Sequence, residues 1–174
     1  MVIWFIGISG SGKSTLGKFF YSNFKKKYKN TIFFDGDEFR KIFDNDLKYS
    51  LEDRNKNAKR LTSIVKYLSD QNINVIVSAN LTSQKYRIWC RKNIKNYFEI
   101  FINTPFSILL RRDYKNLYRD ALKKKIKNVV GVDLKFVKPQ NSDLEISNSS
   151  TKKKLYNNYS TIIKKLKSKK IRIF

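Results

Sequence analysis

The chain has 174 residues, enough for one domain with a proper core. Its 41% hydrophobic and 30% charged residues describe a globular rather than a disordered chain, and 38 Lys and Arg against 14 Asp and Glu leave a formal charge of +24. With no His and one Cys, Cys90, the sequence excludes an internal disulfide, histidine acid–base chemistry and the common His-containing zinc sites.

A basic balance of this size usually points to a polyanionic partner. Here the lysines are spread along the chain beside Asn, Ile and Phe, which looks like a preference for A/T-rich codons. Nucleic acid is therefore not the expected partner, and a nucleotide with several phosphates would suit the same field. The chain enters a strand at once, with no signal-peptide pattern, and no apolar run approaches the roughly 20 residues of a membrane span. A soluble, cytoplasmic protein without a membrane partner is expected.

In chain order, strands are predicted at 2–6, 31–34, 74–79, 98–103 and 144–147. Helical patterns fall at about 13–28, 37–43, 53–71, 84–95, 106–124 and 152–168. Strands buried between helices imply an α/β fold, a three-layer sandwich around a central parallel sheet. The whole of 1–174 reads as a single domain, and the terminal "KKIRIF" as either a short strand or a tail. Cys90, in "RIWCRKN", reads as a small helix residue.

Between the first strand and the first helix lies "GISGSGKST", residues 7–15. Gly7, Gly12, Lys13 and Ser14 complete the pattern of a phosphate-binding loop, Gly, four free positions, then Gly-Lys-Ser/Thr. Glycines let successive backbone N–H groups turn toward an anion, and the following helix presents its own free N–H groups there. Gly7, Ser9, Gly10, Ser11, Gly12, Lys13, Ser14 and Thr15 are thus the candidate ATP-binding residues. Lys13 would reach the β/γ-phosphates, and the Ser14 hydroxyl would hold Mg²⁺. The bland reading of the same stretch is a Gly/Ser turn with a solvated lysine.

"FFDGDEFRK", residues 33–41, puts Asp35 and Asp37 at the carboxyl end of the second strand, where ligands bind in parallel sheets. Phosphoryl transfer needs a metal-side group and an acceptor for the attacking hydroxyl's proton. Asp37 is the better base, and Asp35 the better metal-side or water-mediated partner. Alone, Asp-Gly-Asp is an ordinary turn. In "DLKYSLEDRNKNAKR", Arg54 and Asn57 share a helix face, and Ser50 resembles an N-cap. A guanidinium at Arg54 is suited to an acceptor phosphate, and a plain charged helix start is the alternative. The lysine-dense segment 114–140 reads as a lid or as an exposed helix and turn.

Taken in order, "GISGSGKST", "DGDEFR", "DLKYSLEDRNKN", "FEIFINTPFSILLRRD" and "KNLYRDALKKKIKNVVGVD" resemble the adenylylsulfate kinase (APS kinase) family. The resemblance implies a P-loop kinase fold and MgATP-dependent phosphorylation of a ribose 3′-hydroxyl. It implies that Arg40, Arg54 and Asn57 hold the acceptor nucleotide, that Lys127 is a lid residue there, and that Arg112 lies near ATP. A homodimer is a possible assembly.

The departures concern the acceptor. Where the family has Ile-Ser-Pro after the third strand, this chain has Asn80, Leu81 and Thr82, and Leu81 replaces a serine that some members phosphorylate. The family's acceptor base is commonly held between two aromatics. Tyr49 occupies the first position, and in "NVVG" Val129 stands at the second, so one stacking ring is absent. A smaller base with a polar rim at Asn80, Thr82 and Ser83 favours a cytidine acceptor. It resembles the cytidine diphosphoramidate kinases of bacterial capsule pathways, with adenylylsulfate kinase in sulfate assimilation as the alternative. A nucleic-acid-binding ATPase or polynucleotide kinase is the alternative of another class. It would show a steep salt dependence in binding single strands. A catalytically silent nucleotide-binding regulator is a third.

Overall fold

A computed structural model describes residues 1–113 and 115–174. Its strands are β1 (Val2–Ile6), β2 (Thr31–Asp35), β3 (Asn74–Ser78), β4 (Tyr97–Asn103) and β5 (Leu144–Ser147). Its helices are α1 (Lys13–Lys27), α2 (Gly36–Lys41), α3 (Leu51–Asp70), α4 (Gln84–Asn93), α5 (Phe106–Arg111), α6 (Leu117–Leu122), α7 (Lys152–Tyr156) and α8 (Asn158–Ser168). The strands form one parallel sheet in the order β2-β3-β1-β4-β5. This is the expected α/β sandwich.

β1 is central, and its side chains alternate between the two layers. Ile3 and Phe5 join Phe20 of α1, Ile162 of α8 and Ile100 of β4 in one core. Val2, Trp4 and Ile6 join Leu61 and Val65 of α3 and Cys90 of α4 in the other. Val2 pairs with Val75 on one side and Tyr97 on the other, and this register continues along both ladders. Five consecutive apolar residues are therefore all buried, as a strand covered on both faces requires. The carboxyl ends of β1, β2 and β3 open onto one edge, where the phosphate loop begins.

Two helices expected to be continuous are divided. The run 106–124 becomes α5 and α6. Asp113 turns its carboxylate to the N–H groups of Tyr118 and Arg119, at 2.8 and 3.0 Å, and so starts a new helix. Asn116 takes a left-handed φ of 54° just before it. Tyr114, the first residue of the expected lid, lies outside the described residues. The run 152–168 bends at Asn157, where the Asn158 amide donates to the carbonyls of Lys154 and Leu155 and competes with the helix ladder. α2 stops at Lys41, and left-handed Asp44 and Asn45 follow. α3 begins at Leu51, capped as expected by Ser50, whose hydroxyl oxygen accepts the Asp53 N–H at 3.1 Å. The C-terminal residues form no strand. Ile171 and Ile173 pack on the core, and the Phe174 N–H donates to the Asn74 side chain at 3.0 Å.

Candidate functional site

The phosphate loop connects β1 to α1. Gly10 and Gly12 have φ of 73° and 94°, left-handed values that a side chain would strain. The N–H groups of Lys13, Ser14 and Thr15 lie in the first turn of α1 and have no intrahelical acceptor. The first such bond runs from Leu16 N–H to the Gly12 carbonyl at 2.9 Å. Three side chains from elsewhere take up the loop's carbonyls. The Tyr118 hydroxyl donates to Ser9 at 2.7 Å. Thr104 and Asn148 donate to Ser11 at 3.1 and 2.7 Å. With its carbonyls held this way, the loop keeps its remaining donors for an anion.

A cavity of about 830 Å³ opens over this loop, large enough for a nucleotide. Ser9, Gly10, Gly12, Lys13, Ser14 and Thr15 line it, as expected. Gly7 and Ser11 are buried within the loop. A side chain on Gly7 would strike the Ser11 hydroxyl, so the two pack together beneath the loop and shape it. Asp37 and Arg112 line the same cavity, and Arg112 is steadied by the Ser150 carbonyl at 2.9 Å.

Further cations on its wall, Arg111, Lys115, Arg119 and Lys152, were not singled out from the sequence. Nor were Tyr118 and Asn148. Tyr118 sits inside the quoted "KNLYRD", and Asn148 follows the last strand at the sheet's carboxyl edge. That edge position was the one available signal.

Burial lowers the Lys13 pKa from its ordinary value, while the carboxylates of Asp37 and then Asp35 act to raise it. The three groups therefore share one electrostatic environment. Asp35 is buried and accepts the Asp37 N–H on Oδ1 at 3.0 Å, capping α2. Asp37 is exposed to the cavity. One carboxylate thus holds the turn and the other faces the open space. The Ser14 hydroxyl and these carboxylates are hard oxygen donors, the type that suits Mg²⁺. Among the described residues, no group of three or more His, Cys, Asp or Glu gathers as a protein-only metal site. A Mg²⁺ here would complete its shell with phosphate oxygens and water.

A second cluster lies beyond Asp37. Tyr49, 50% exposed, has the Arg40 guanidinium 4.8 Å and the Arg54 guanidinium 5.3 Å from its ring centre. Arg40 is buried and donates to the carbonyls of Leu47 and Lys48 at 3.3 and 3.1 Å. Arg54 donates to the Tyr49 and Asn128 carbonyls, each at 2.9 Å. Burial, then the neighbouring Arg40, lowers the Arg54 pKa, and Asp37 is among the groups opposing that shift. Asn57 is buried on α3 and Asn80 half-buried after β3, and each has a side-chain carbonyl without a partner among the described residues. The Thr82 hydroxyl is in the same condition. Lys127 is exposed.

Two residues expected at the acceptor site, Leu81 and Val129, are buried in apolar clusters. Leu81 is 1% exposed, in the core with Phe39 and Val77. Val129 is 4% exposed, packed with Leu109, Tyr118 and Ala121. Cys90 is a buried residue of α4, as expected, and burial pushes its thiol up to about 12.

Comparison with known proteins agrees with this architecture. The adenylylsulphate kinase family profile matches residues 1–147. The chain is 42% identical over 165 residues to a cytidine diphosphoramidate kinase of Campylobacter jejuni, covering 95% of each protein. It is 34% identical to an adenylyl-sulfate kinase of Buchnera aphidicola, covering 94% of this chain and 79% of that one. The Mycobacterium tuberculosis APS kinase CysC, solved in complex with AMPPNP and APS, superposes with a TM-score of 0.84 at 30% identity, over 95% of this chain and 96% of that one. A parallel sheet in this strand order, a phosphate loop opening on a basic cavity, and a family match over most of its length lead to one conclusion: the chain belongs to the adenylylsulphate kinase family and is a kinase of the P-loop fold.

Proposed function

We propose that the protein transfers the γ-phosphoryl group of ATP to the ribose 3′-hydroxyl of a cytidine nucleotide, cytidine diphosphoramidate, in the cytoplasm. Capsular polysaccharide modification is the setting. The observation that carries the choice of acceptor is the 42% identity, over 95% of both chains, to a cytidine diphosphoramidate kinase, against 34% to an adenylyl-sulfate kinase. Tyr49, exposed beside Arg40 and Arg54, offers a ring on which the acceptor base can stack.

In this reading the whole chain is one catalytic domain, and 115–140 with Tyr114 is its lid. ATP lies in the basic cavity. Its phosphates are held by the free N–H groups of the loop and by Lys13, and Arg112 lines the wall beside it. Ser14, with Asp35 acting through water, would hold Mg²⁺, which supplies neutralisation of charge on the β- and γ-phosphate oxygens. Asp37 takes the proton as the ribose 3′-oxygen forms its bond to phosphorus and the bond to the β-phosphate oxygen breaks, leaving ADP. Lys13 offsets the charge that gathers on the leaving oxygen. Arg40 and Arg54 grip the acceptor's phosphates, Tyr49 stacks on its base, and Asn57, Asn80 and the lid's Lys127 complete the site.

A second reading, adenylylsulfate as acceptor, is favoured by the match to a structure solved with APS. The deciding experiment is an acceptor screen with MgATP. Cytidine diphosphoramidate is expected to give the higher kcat/KM, about tenfold or more over adenylylsulfate, because unpaired polar groups penalise the wrong base. An equal or higher value for adenylylsulfate overturns the cytidine assignment.

A further inference from the structure

We infer that Tyr118 is a positioning residue that ties the donor phosphate loop to the acceptor side, so that filling one site organises the other. The inference rests on the reading of the Arg54 cluster as the acceptor site.

Tyr118 is 1% exposed, and its hydroxyl donates to the Ser9 carbonyl 109 residues away in sequence. Ser9 lines the donor cavity, so this bond orients a peptide of the phosphate loop itself. The ring is fixed from two directions. Asp113 anchors the Tyr118 N–H, and Phe106 packs edge-on at 5.3 Å between ring centres. A phenol held this rigidly transmits displacement instead of absorbing it.

The other end of the path is equally defined. Tyr118 shares one buried apolar cluster with Val129, which belongs to a tight turn. The Asp133 carboxylate clamps that turn by accepting the N–H groups of Asn128 and Val129 at 2.5 and 2.6 Å. Gly131, with φ of 97°, brings the turn's backbone against the loop, and a side chain there would lie 3.3 Å from Ile8. The turn then offers the Asn128 carbonyl to Arg54 at 2.9 Å. A chain of contacts, buried at Tyr118 and Val129 and partly open to solvent at both ends, thus runs from Ser9 through Tyr118 and the turn to Arg54, with Ile8 and Gly131 as a second point of contact. Phosphate binding fixes the Ser9 peptide, and the same bond fixes the turn that places Arg54.

The test compares wild type with Tyr118→Phe, which removes one oxygen and keeps the ring. Acceptor affinity is measured by calorimetry with and without MgAMPPNP, using cytidine diphosphoramidate and adenylylsulfate. In wild type the analogue is expected to tighten acceptor binding about tenfold, a usual size for coupled sites. In Tyr118→Phe that factor falls to near one, while affinity without the analogue is unchanged. A merely structural loss would weaken both measurements alike. Hydrogen exchange supplies an arm that needs no acceptor. MgAMPPNP alone slows exchange across 126–134 in wild type and not in the variant. Coupling and protection retained in Tyr118→Phe, or absent in wild type, overturn the tie. Failure of both acceptors to bind overturns the acceptor reading and leaves the exchange arm to decide the tie. Should Tyr118→Phe not fold, Gly131→Ala disturbs the second contact and must show the same loss.

Discussion

At the phosphate loop the groups presented to the cavity are backbone N–H groups, one ammonium and the hydroxyl residues Ser9, Ser14 and Thr15, whereas around Arg54 they are long side chains engaged with one another. The loop's shape comes from two left-handed glycines and from hydrogen bonds that hold its carbonyls. Arg40 and Arg54, by contrast, donate to nearby carbonyls and stack on Tyr49. A ligand entering there exchanges existing contacts for its own. Donor chemistry can thus stay the same across related enzymes while side-chain changes alter the acceptor. Asp37 lies at the boundary, acting electrostatically on Lys13 and on Arg54.

If that division holds, Lys13→Ala gives the largest effect. It is expected to lower kcat by about a thousandfold or more with either acceptor, as losing a transition-state charge contact does. Steady-state rates on a variant with an unchanged melting curve check this. Near-normal turnover would mean the loop is not where ATP reacts.

Asp37→Asn tests the boundary. The amide keeps the shape but cannot take the hydroxyl proton, so kcat should fall about 100- to 10,000-fold while the KM for ATP changes little. A pH–rate profile separates the outcomes. An unchanged kcat across pH removes Asp37 as the base and passes the role to Asp35 or to the substrate's own phosphate.

Tyr49→Ala should have the smallest effect of the three. Removing the exposed ring costs a stacking contact of about 1–3 kcal/mol, a rise of roughly 5- to 150-fold in acceptor KM. The KM for ATP should stay the same. If both KM values rise together with the other substrate saturating, the Tyr49 ring serves mainly to hold the arginines.

Most of this architecture could be read from local pattern. The all-apolar "VIWFI" could only be a strand covered on both faces, and "GISGSGKST" carries the stereochemistry of its loop in its own glycines. The helix start at Ser50 was equally local, because a cap needs only the residue three positions on. What escaped were features set by residues far apart in the chain. The break at Asp113 depends on a carboxylate preferring two N–H groups over solvent, and its pattern looks helical throughout.

The sequence by itself determined the fold class, the phosphate loop and the pair of aspartates, since each is written within a few consecutive residues. Only the tertiary structure decided which side chains look outward. It turned Leu81 and Val129 into core, put Gly7 and Ser11 beneath the loop, and brought Tyr118 and Asn148 to its carbonyls. The physical reason is that burial and hydrogen-bond partnership belong to neighbours in space. Periodicity reports which face of an element is apolar, but not which element arrives to cover it.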